Sequence, residues 1–211
     1  MIEGQQATKE RGRPRSAEVD SKIRQATWAL IAQVGCTALT FEAIAQQVGC
    51  SRSTLYRRFS SKGALILDLF DETALSFEPV LDPAMSAREK LMTHVRNCIH
   101  MYKGDRGVAF IQIMAASRSD TTVFEAVRAH GRLVAPHYFE PLRQLAPGAS
   151  DEAIAFAFHT LIGSIMHHVA ARASPPTADE AERLVDAIIF LARQSCPEKE
   201  PAPATPQAAH A

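Results

Sequence analysis

Two short helical patterns lie between Thr40 and Phe59, and only Gly49 and Cys50 separate them. Thr40 suits the N-cap of the first, whose Phe41, Ile44, Ala45 and Val48 fall on one side. Ser51 suits the N-cap of the second, with Leu55 and Phe59 four apart on its buried side. Upstream, Ile23, Ala26, Leu30, Ile31 and Val34 recur in steps of three and four, and Gly35 stands where a helix C-terminus prefers glycine. Three helices with so tight a joint between the last two have helix-turn-helix spacing. If the apolar side of the pair faces the first helix, the opposite side of the third displays Arg52, Ser53, Thr54, Tyr56 and Arg57. No acid occurs from residue 51 to 62. Hydroxyls and guanidinium groups on an exposed helix suit the major groove of duplex DNA, where they meet phosphates and arginine reads guanine bidentately.

Charge distribution agrees. The 23 basic and 23 acidic side chains of the 211-residue chain cancel. Residues 1–62 nevertheless hold ten Lys/Arg against five acids, which is +5 there and −5 over the remainder. A basic end on an acidic body points to polyanion contact through that end only. Met1 to Arg15 lacks the apolar stretch of a secretory signal, so the expected location is the cytoplasm. The four cysteines (Cys36, Cys50, Cys98, Cys196) are scattered, with no C-x-x-C pair and no histidine at zinc-ligand spacing, and read as reduced thiols. His167 and His168, as helix neighbours, point about 100° apart and are poorly placed to share an ion. No metal and no cofactor is expected. An enzyme with a helical pocket is the competing class, but neither a Ser-His-Asp or Cys-His constellation nor a glycine-rich phosphate loop supports it.

Helix signals continue along the chain while the alternation of a strand is missing, which predicts an all-α fold of about nine helices. A fourth helix is expected from Ser60 and Ser61 through Leu65, Ile66, Leu69 and Phe70 to Pro79. Ser86 with Glu89 forms a capping box that opens a fifth, reaching about Tyr102. Further starts lie near Asp105, Ser119 and Ser150, and a second capping box, Thr177 with Glu180, opens a helix carrying Leu184, Ile188 and Leu191. Pro136 and Pro141 are predicted to bend or interrupt the segment from Thr121 to Leu145. Ala153 to Ala171 is uncharged and long enough to raise a membrane span, yet its His159, Thr160, Gly163, Ser164, His167 and His168 would be costly in lipid. Burial on two faces, one against its own subunit and one against a partner, is the better reading. Residues 1–14 are expected as a flexible basic arm and 196–211 as a disordered tail.

The run from Thr40 through Lys62, with its Thr54-Leu55-Tyr56, then Phe59, then Ser61-Lys62, resembles the DNA-binding signature of TetR-type (AcrR-like) transcriptional regulators. The resemblance spans Arg15 to Leu65. It implies a helix-turn-helix domain over 15–65, a ligand-binding and dimerisation domain over 66–195, and a homodimer on double-stranded DNA. It also implies phosphate contacts from Thr40, Tyr56, Arg57 and Lys62, and base contacts from Arg52, Ser53 and Thr54. Arg52 as a further phosphate clamp and Lys62 as an ordinary surface lysine are the alternatives. The Arg11 to Arg15 arm, with Arg13 and Arg15, either enters a minor groove or merely solubilises. Cys50 reads as a small hydrophobe or a redox switch. Ser53, Cys50 and Gly63 depart from the family's usual glycine, valine and acid.

His94, Cys98 and Met101 share one face of the fifth helix. With Phe110, Met114, Phe124 and Phe156 they are expected to line an apolar pocket, plain core being the alternative. Phe158, Leu161, Ile162, Ile165, Val185, Ile188 and Ile189 are expected to form a four-helix dimer interface, with Gly163 and Ser164 permitting close approach. The implied function is a repressor released from a near-palindromic operator by a small-molecule effector. Effector-independent regulation and activation remain open.

Overall fold

In the computed structural model, residues 13–77 and 79–194 are described, and they form helices joined by turns, with no strand among them. α1 is Arg13–Val34. It starts two residues inside the expected arm, because Pro14 is tolerated in a first helical turn where the N–H has no intrahelical partner. Arg13 and Arg15 therefore belong by backbone to α1, while the rest of the arm and the tail lie outside the described residues. Ile23 and Ile31 are fully buried and Ala26 nearly so, but Val34, at the end of the pattern, is exposed.

α2 is Phe41–Val48, and the Thr40 side chain accepts from Ala43 N as predicted. Gly49 closes it in the left-handed region at φ 73°, a conformation that costs glycine little and lets its N–H reach the last carbonyls. α3, Arg52–Tyr56, follows with Ser51 as N-cap. Leu55 and Phe59 turn inward onto the core that holds Ile23, Ile31 and Ile44.

α4 is Lys62–Phe77, and its Leu65, Ile66, Leu69 and Phe70 are all buried. Both predicted capping boxes are present, Ser86/Glu89 opening α5 (Ala87–Met101) and Thr177/Glu180 opening α9 (Ala178–Arg193). α6 is Asp105–Ala116, and α8, Asp151–Arg172, is capped by Ser150. α7 runs unbroken over Thr121–Leu145 with Pro136 and Pro141 inside it, so of the expected bend or interruption the interruption does not occur. Each proline removes one helical donor, but α7 packs against α4, α5 and α8 at once. Its Val123, Ala126, Tyr138 and Leu142 are buried there. That packing outweighs a local cost of about 3 kcal/mol or more per proline.

α8 is long and apolar enough to cross a membrane. Its Ile154, Ala157, Leu161 and Ile165 are instead fully buried in the subunit core.

The expected dimer residues need correction. Phe158, Leu161, Ile165, Val185, Ile188 and Ile189 are buried within their own subunit, and Ile162 is partly buried against the same core. The side of α8 turned outward carries Phe156, His159, Gly163 and His167 instead, and on α9 Ala187 and Phe190 are exposed. The predicted residues lie on the same two helices, on the other face.

Candidate nucleic-acid interface and body cavity

At the head of the molecule, α3 projects its polar side outward, with Arg52, Ser53, Tyr56 and Arg57 exposed and Thr54 half-buried. Tyr56 is 57% exposed yet does not swing freely, because its ring packs on Phe41 of α2 at a centroid distance of 5.0 Å. Ser51 Oγ lies 2.9 Å from both Ser53 Oγ and Thr54 Oγ1, so the three hydroxyls satisfy one another. Arg52 Nη1 donates to Glu42 Oε1 at 3.0 Å, an exposed pair of the kind worth less than about 1 kcal/mol. Its guanidinium is parked rather than locked.

Two arginines absent from the predicted site hold this surface in place. Arg58 Nε donates to Asp20 Oδ1 at 2.6 Å and its Nη1 to the Thr54 carbonyl at 3.1 Å, tying α3 to α1. Arg24 forks onto Asp68 at 2.8 and 3.1 Å, tying α1 to α4. Both pairs are mostly screened from solvent. A sequence signal existed for the first, since Asp20 precedes Ile23 by one helical turn, but the pairing is between distant segments and has no spacing rule.

Lys62 is neither a free surface lysine nor a free phosphate clamp. Its Nζ donates to the Cys36 and Thr37 carbonyls at 2.9 and 3.1 Å, pinning the turn after α1. One of its three N–H donors remains for an anion. Cys50 packs half-buried against the core, as a small hydrophobe does. Cys36 is buried, which raises its pKa and keeps the thiol neutral.

Gly63 turns out to sit where head meets body. It is buried in the first turn of α4, and a Cβ there would stand 2.2 Å from the carbonyl oxygen of Thr122. Its N–H donates to Thr122 Oγ1 at 3.2 Å. Thr122 in turn belongs to the first turn of α7, capped by Asp120, whose carboxyl is held below its ordinary pKa chiefly by the Thr122 hydroxyl. An acid at residue 63 would not fit.

The body encloses a cavity of about 800 Å3 between α4, α5, α6, α7 and α8. Of the predicted pocket residues, His94, Cys98, Met101, Phe110 and Met114 line it. Phe124 and Phe156 do not, because they lie 43% and 61% exposed on the outer faces of α7 and α8. Phe158 and Ile162, assigned to the dimer, line the cavity instead. Burial pushes the Cys98 thiol up to about 12, so it is neutral and unreactive there. The Tyr102 and Tyr138 hydroxyls are held protonated by the same burial, and Tyr138 Oη donates to the His94 carbonyl at 3.3 Å.

His130, missed in the sequence, sits in the cavity wall. Its spacing after Val123, Ala126 and Val127 was the available signal, placing it on the buried face of α7. It is 7% exposed, and its ring stacks on Phe70 of α4 at 4.6 Å and meets Phe110 of α6 at 6.2 Å. Phe70 also touches Phe110 at 5.4 Å and Trp28 of α1 at 6.4 Å. Rings thus run without a gap from the cavity to the helix that carries the head. Trp28 Nε1 and His130 Nδ1 are the buried side-chain nitrogens without a hydrogen bond among the described residues. His167 and His168 diverge as predicted: His167 faces outward and His168 Nδ1 pairs with the Ser164 carbonyl at 2.8 Å. Among the described residues no group of three or more His, Cys, Asp or Glu is placed to hold a metal ion.

A three-helix unit presenting an acid-free polar helix, mounted on a hollow helical body, is the architecture of a helix-turn-helix DNA-binding regulator. Residues 23–69 match the family of bacterial regulatory proteins described as the tetR family. The chain is 29% identical over 144 residues to the uncharacterized HTH-type transcriptional regulator YdeS of Bacillus subtilis (strain 168), covering 68% of this chain and 69% of that one. Its fold is similar to that of a Pseudomonas aeruginosa PAO1 protein described as a transcriptional regulator, with a TM-score of 0.68 and 17% identity over 85% of this chain and 91% of the other. It is also similar to that of a Saccharomonospora viridis protein, likewise described, solved in complex with choline (TM-score 0.58, 18% identity, 82% and 96% covered). Residues 23–69 thus form a DNA-binding unit of the tetR type, and the rest of the chain shares the fold of proteins described as transcriptional regulators.

Proposed function

We propose that the protein is a homodimeric repressor that leaves a near-palindromic operator when a small molecule enters the body cavity. The observation that carries this reading is the double membership of α4. Its Thr73, Ala74 and Leu75 line the cavity, while its first turn holds the head through Lys62 and meets α7 at Gly63. A ligand pressing on His130 would press on Phe70 of the same helix. Moving the population from 1:99 to 99:1 needs a ligand that prefers the released state by about 5.5 kcal/mol. The choline bound to the Saccharomonospora viridis protein is a precedent for a small-molecule complex on this fold.

On DNA, Arg52, Ser53 and Thr54 would meet base edges, and Thr40, Tyr56, Arg57 and the spare donor of Lys62 would meet phosphates. Arg52 leaves Glu42 at little cost. Dimerisation would use the outward faces of α8 and α9, where Phe156 and Phe190 are each 61% exposed and nothing would crowd a Cβ at Gly163. Two-fold symmetry would then set the two α3 helices about 34–36 Å apart. The protein would act in the compartment that holds the DNA, the cytoplasm.

Selection of duplexes from a random library, followed by anisotropy titrations, tests this. Tyr56→Ala is expected to weaken all sequences alike and Arg52→Ala to relax preference at one operator position, each in both half-sites. A selected site without two-fold symmetry would sink the dimer, and uniform weakening by both variants would sink the base-reading role.

A further inference from the structure

The cavity wall holds a specific chemical message in His130. The ring is more than nine-tenths buried in a three-ring cluster with Phe70 and, edge-on, Phe110. Its Nδ1 is sealed from solvent without a hydrogen bond among the described residues. A sealed lone pair is cheaper than a sealed N–H, because an orphaned buried donor loses its full hydration. The proton therefore sits on Nε2. That nitrogen makes no hydrogen bond to a described residue and is not among the sealed atoms, so its accessible side is the cavity that His130 lines.

The rest of the lining narrows the ligand further. It contains no Lys or Arg, and so no permanent positive charge to hold a carboxylate, sulfonate or phosphate; His94, Asn97, His137 and His159 are its other nitrogen-bearing side chains. Its one carboxylate, Asp71, is exposed, and so is able to stay hydrated rather than pair with a deep-seated cation. The inner wall is formed by apolar and aromatic side chains such as Met101, Phe110, Val134 and Phe158. Burial lowers the pKa of His130 to about 4, so the ring is a neutral donor and not a charge.

We propose that the cavity selects a neutral, mainly apolar organic molecule carrying an accepting oxygen, a ketone, ester or ether, to which His130 Nε2–H donates. This names the effector class for the repressor reading and rests on that reading only for its consequence, not for binding. Phe70, in ring contact with His130, then senses whether His130 is engaged.

The test uses the full-length protein without DNA. The neutral fluorophore propionyl-dimethylaminonaphthalene, an aryl ketone, is titrated into wild type, His130→Phe and His130→Gln. Its propyl counterpart, in which a methylene replaces the carbonyl, is run in parallel. Loss of one neutral hydrogen bond is worth about tenfold in affinity. The ketone is expected to weaken about tenfold in His130→Phe and to recover in His130→Gln, which keeps a donor, with its emission shifting to the blue in the Phe variant. The propyl compound is expected to change less than about twofold. Equal losses for both compounds, failure of either to bind, or tighter binding of choline or anilinonaphthalene sulfonate than of the ketone would overturn the proposal. Release of the selected duplex is measured separately. A ketone that binds through His130 without releasing DNA supports the ligand class and counts against the repressor reading alone.

Discussion

The head and the body follow one packing rule but place their polar groups oppositely. In the head, α2 and α3 bury Ile44 and Leu55 and hold hydroxyls and guanidinium groups outside, where water solvates them until a duplex does. In the body, His94, His130, Tyr102 and Tyr138 are turned inward around a hollow. An outward polar surface costs little to maintain and serves a polyanion. An inward one carries a standing desolvation cost, offset by the surrounding core. The difference teaches where each half is vulnerable: the head to loss of charge, the body to changes of volume and protonation. α4 inherits both sensitivities.

The largest effect is expected at the joint between them. Gly63→Ala would drive a methyl group into the Thr122 backbone, which is not free to yield as a side-chain tip would be. A loss of about 3 kcal/mol in urea unfolding is expected, in the upper range for overpacking. Thr122→Val, which removes only the hydroxyl bonded to Gly63 N and Asp120, should cost about 1 kcal/mol. Similar small losses for both would show that head and body are not clamped there.

Acid should separate the two regions next. An unfolded histidine takes its proton near pH 6.5, whereas His130 in the folded protein takes it only near 4. Between those values the unfolded state holds the extra proton, so stability falls as pH falls through this window, by up to about 3 kcal/mol. His130→Phe should flatten this part of the profile in chemical denaturation across pH. An unchanged slope would place the titrating group elsewhere.

These two residues also mark the limit of what the sequence revealed. The head was legible because its determinants are local: Thr40 and Ser51 as caps, Gly49 as the stop, and α3 with an apolar and a polar side. The capping boxes of α5 and α9 were legible for the same reason. The body was not, because long-range packing decides it. Pro136 and Pro141 looked like breaks until helices on three sides held α7 together. Phe124 and Phe156 are apolar by type, yet their helices turn them outward, and Leu161 or Ile188 serve a core as well as an interface. Nothing near Gly63 in the chain announced Thr122.

Smaller effects probe the head alone. Arg58→Met should lose about 2 kcal/mol of stability by removing the guanidinium that ties Asp20 of α1 to the Thr54 carbonyl of α3, and should weaken DNA binding through misplacement of α3. Glu42→Gln should do the reverse at a lesser scale. Freeing Arg52 and removing a negative charge beside the groove should tighten duplex binding a few-fold, about 0.5 kcal/mol, at unchanged stability. Weaker binding in that variant would mean that Glu42 positions Arg52 for its base.

The central claim is that α3 and its neighbours form the surface that grips duplex DNA. Anisotropy of a labelled selected duplex, titrated at several salt concentrations with wild type and the Arg52→Ala/Tyr56→Ala double variant, tests it most directly. Wild type should bind tightly at low salt and weaken steeply as salt rises, and the double variant should lose at least about a hundredfold. A wild-type protein that retains no duplex at low ionic strength, or a double variant that binds as well as its parent, would contradict it.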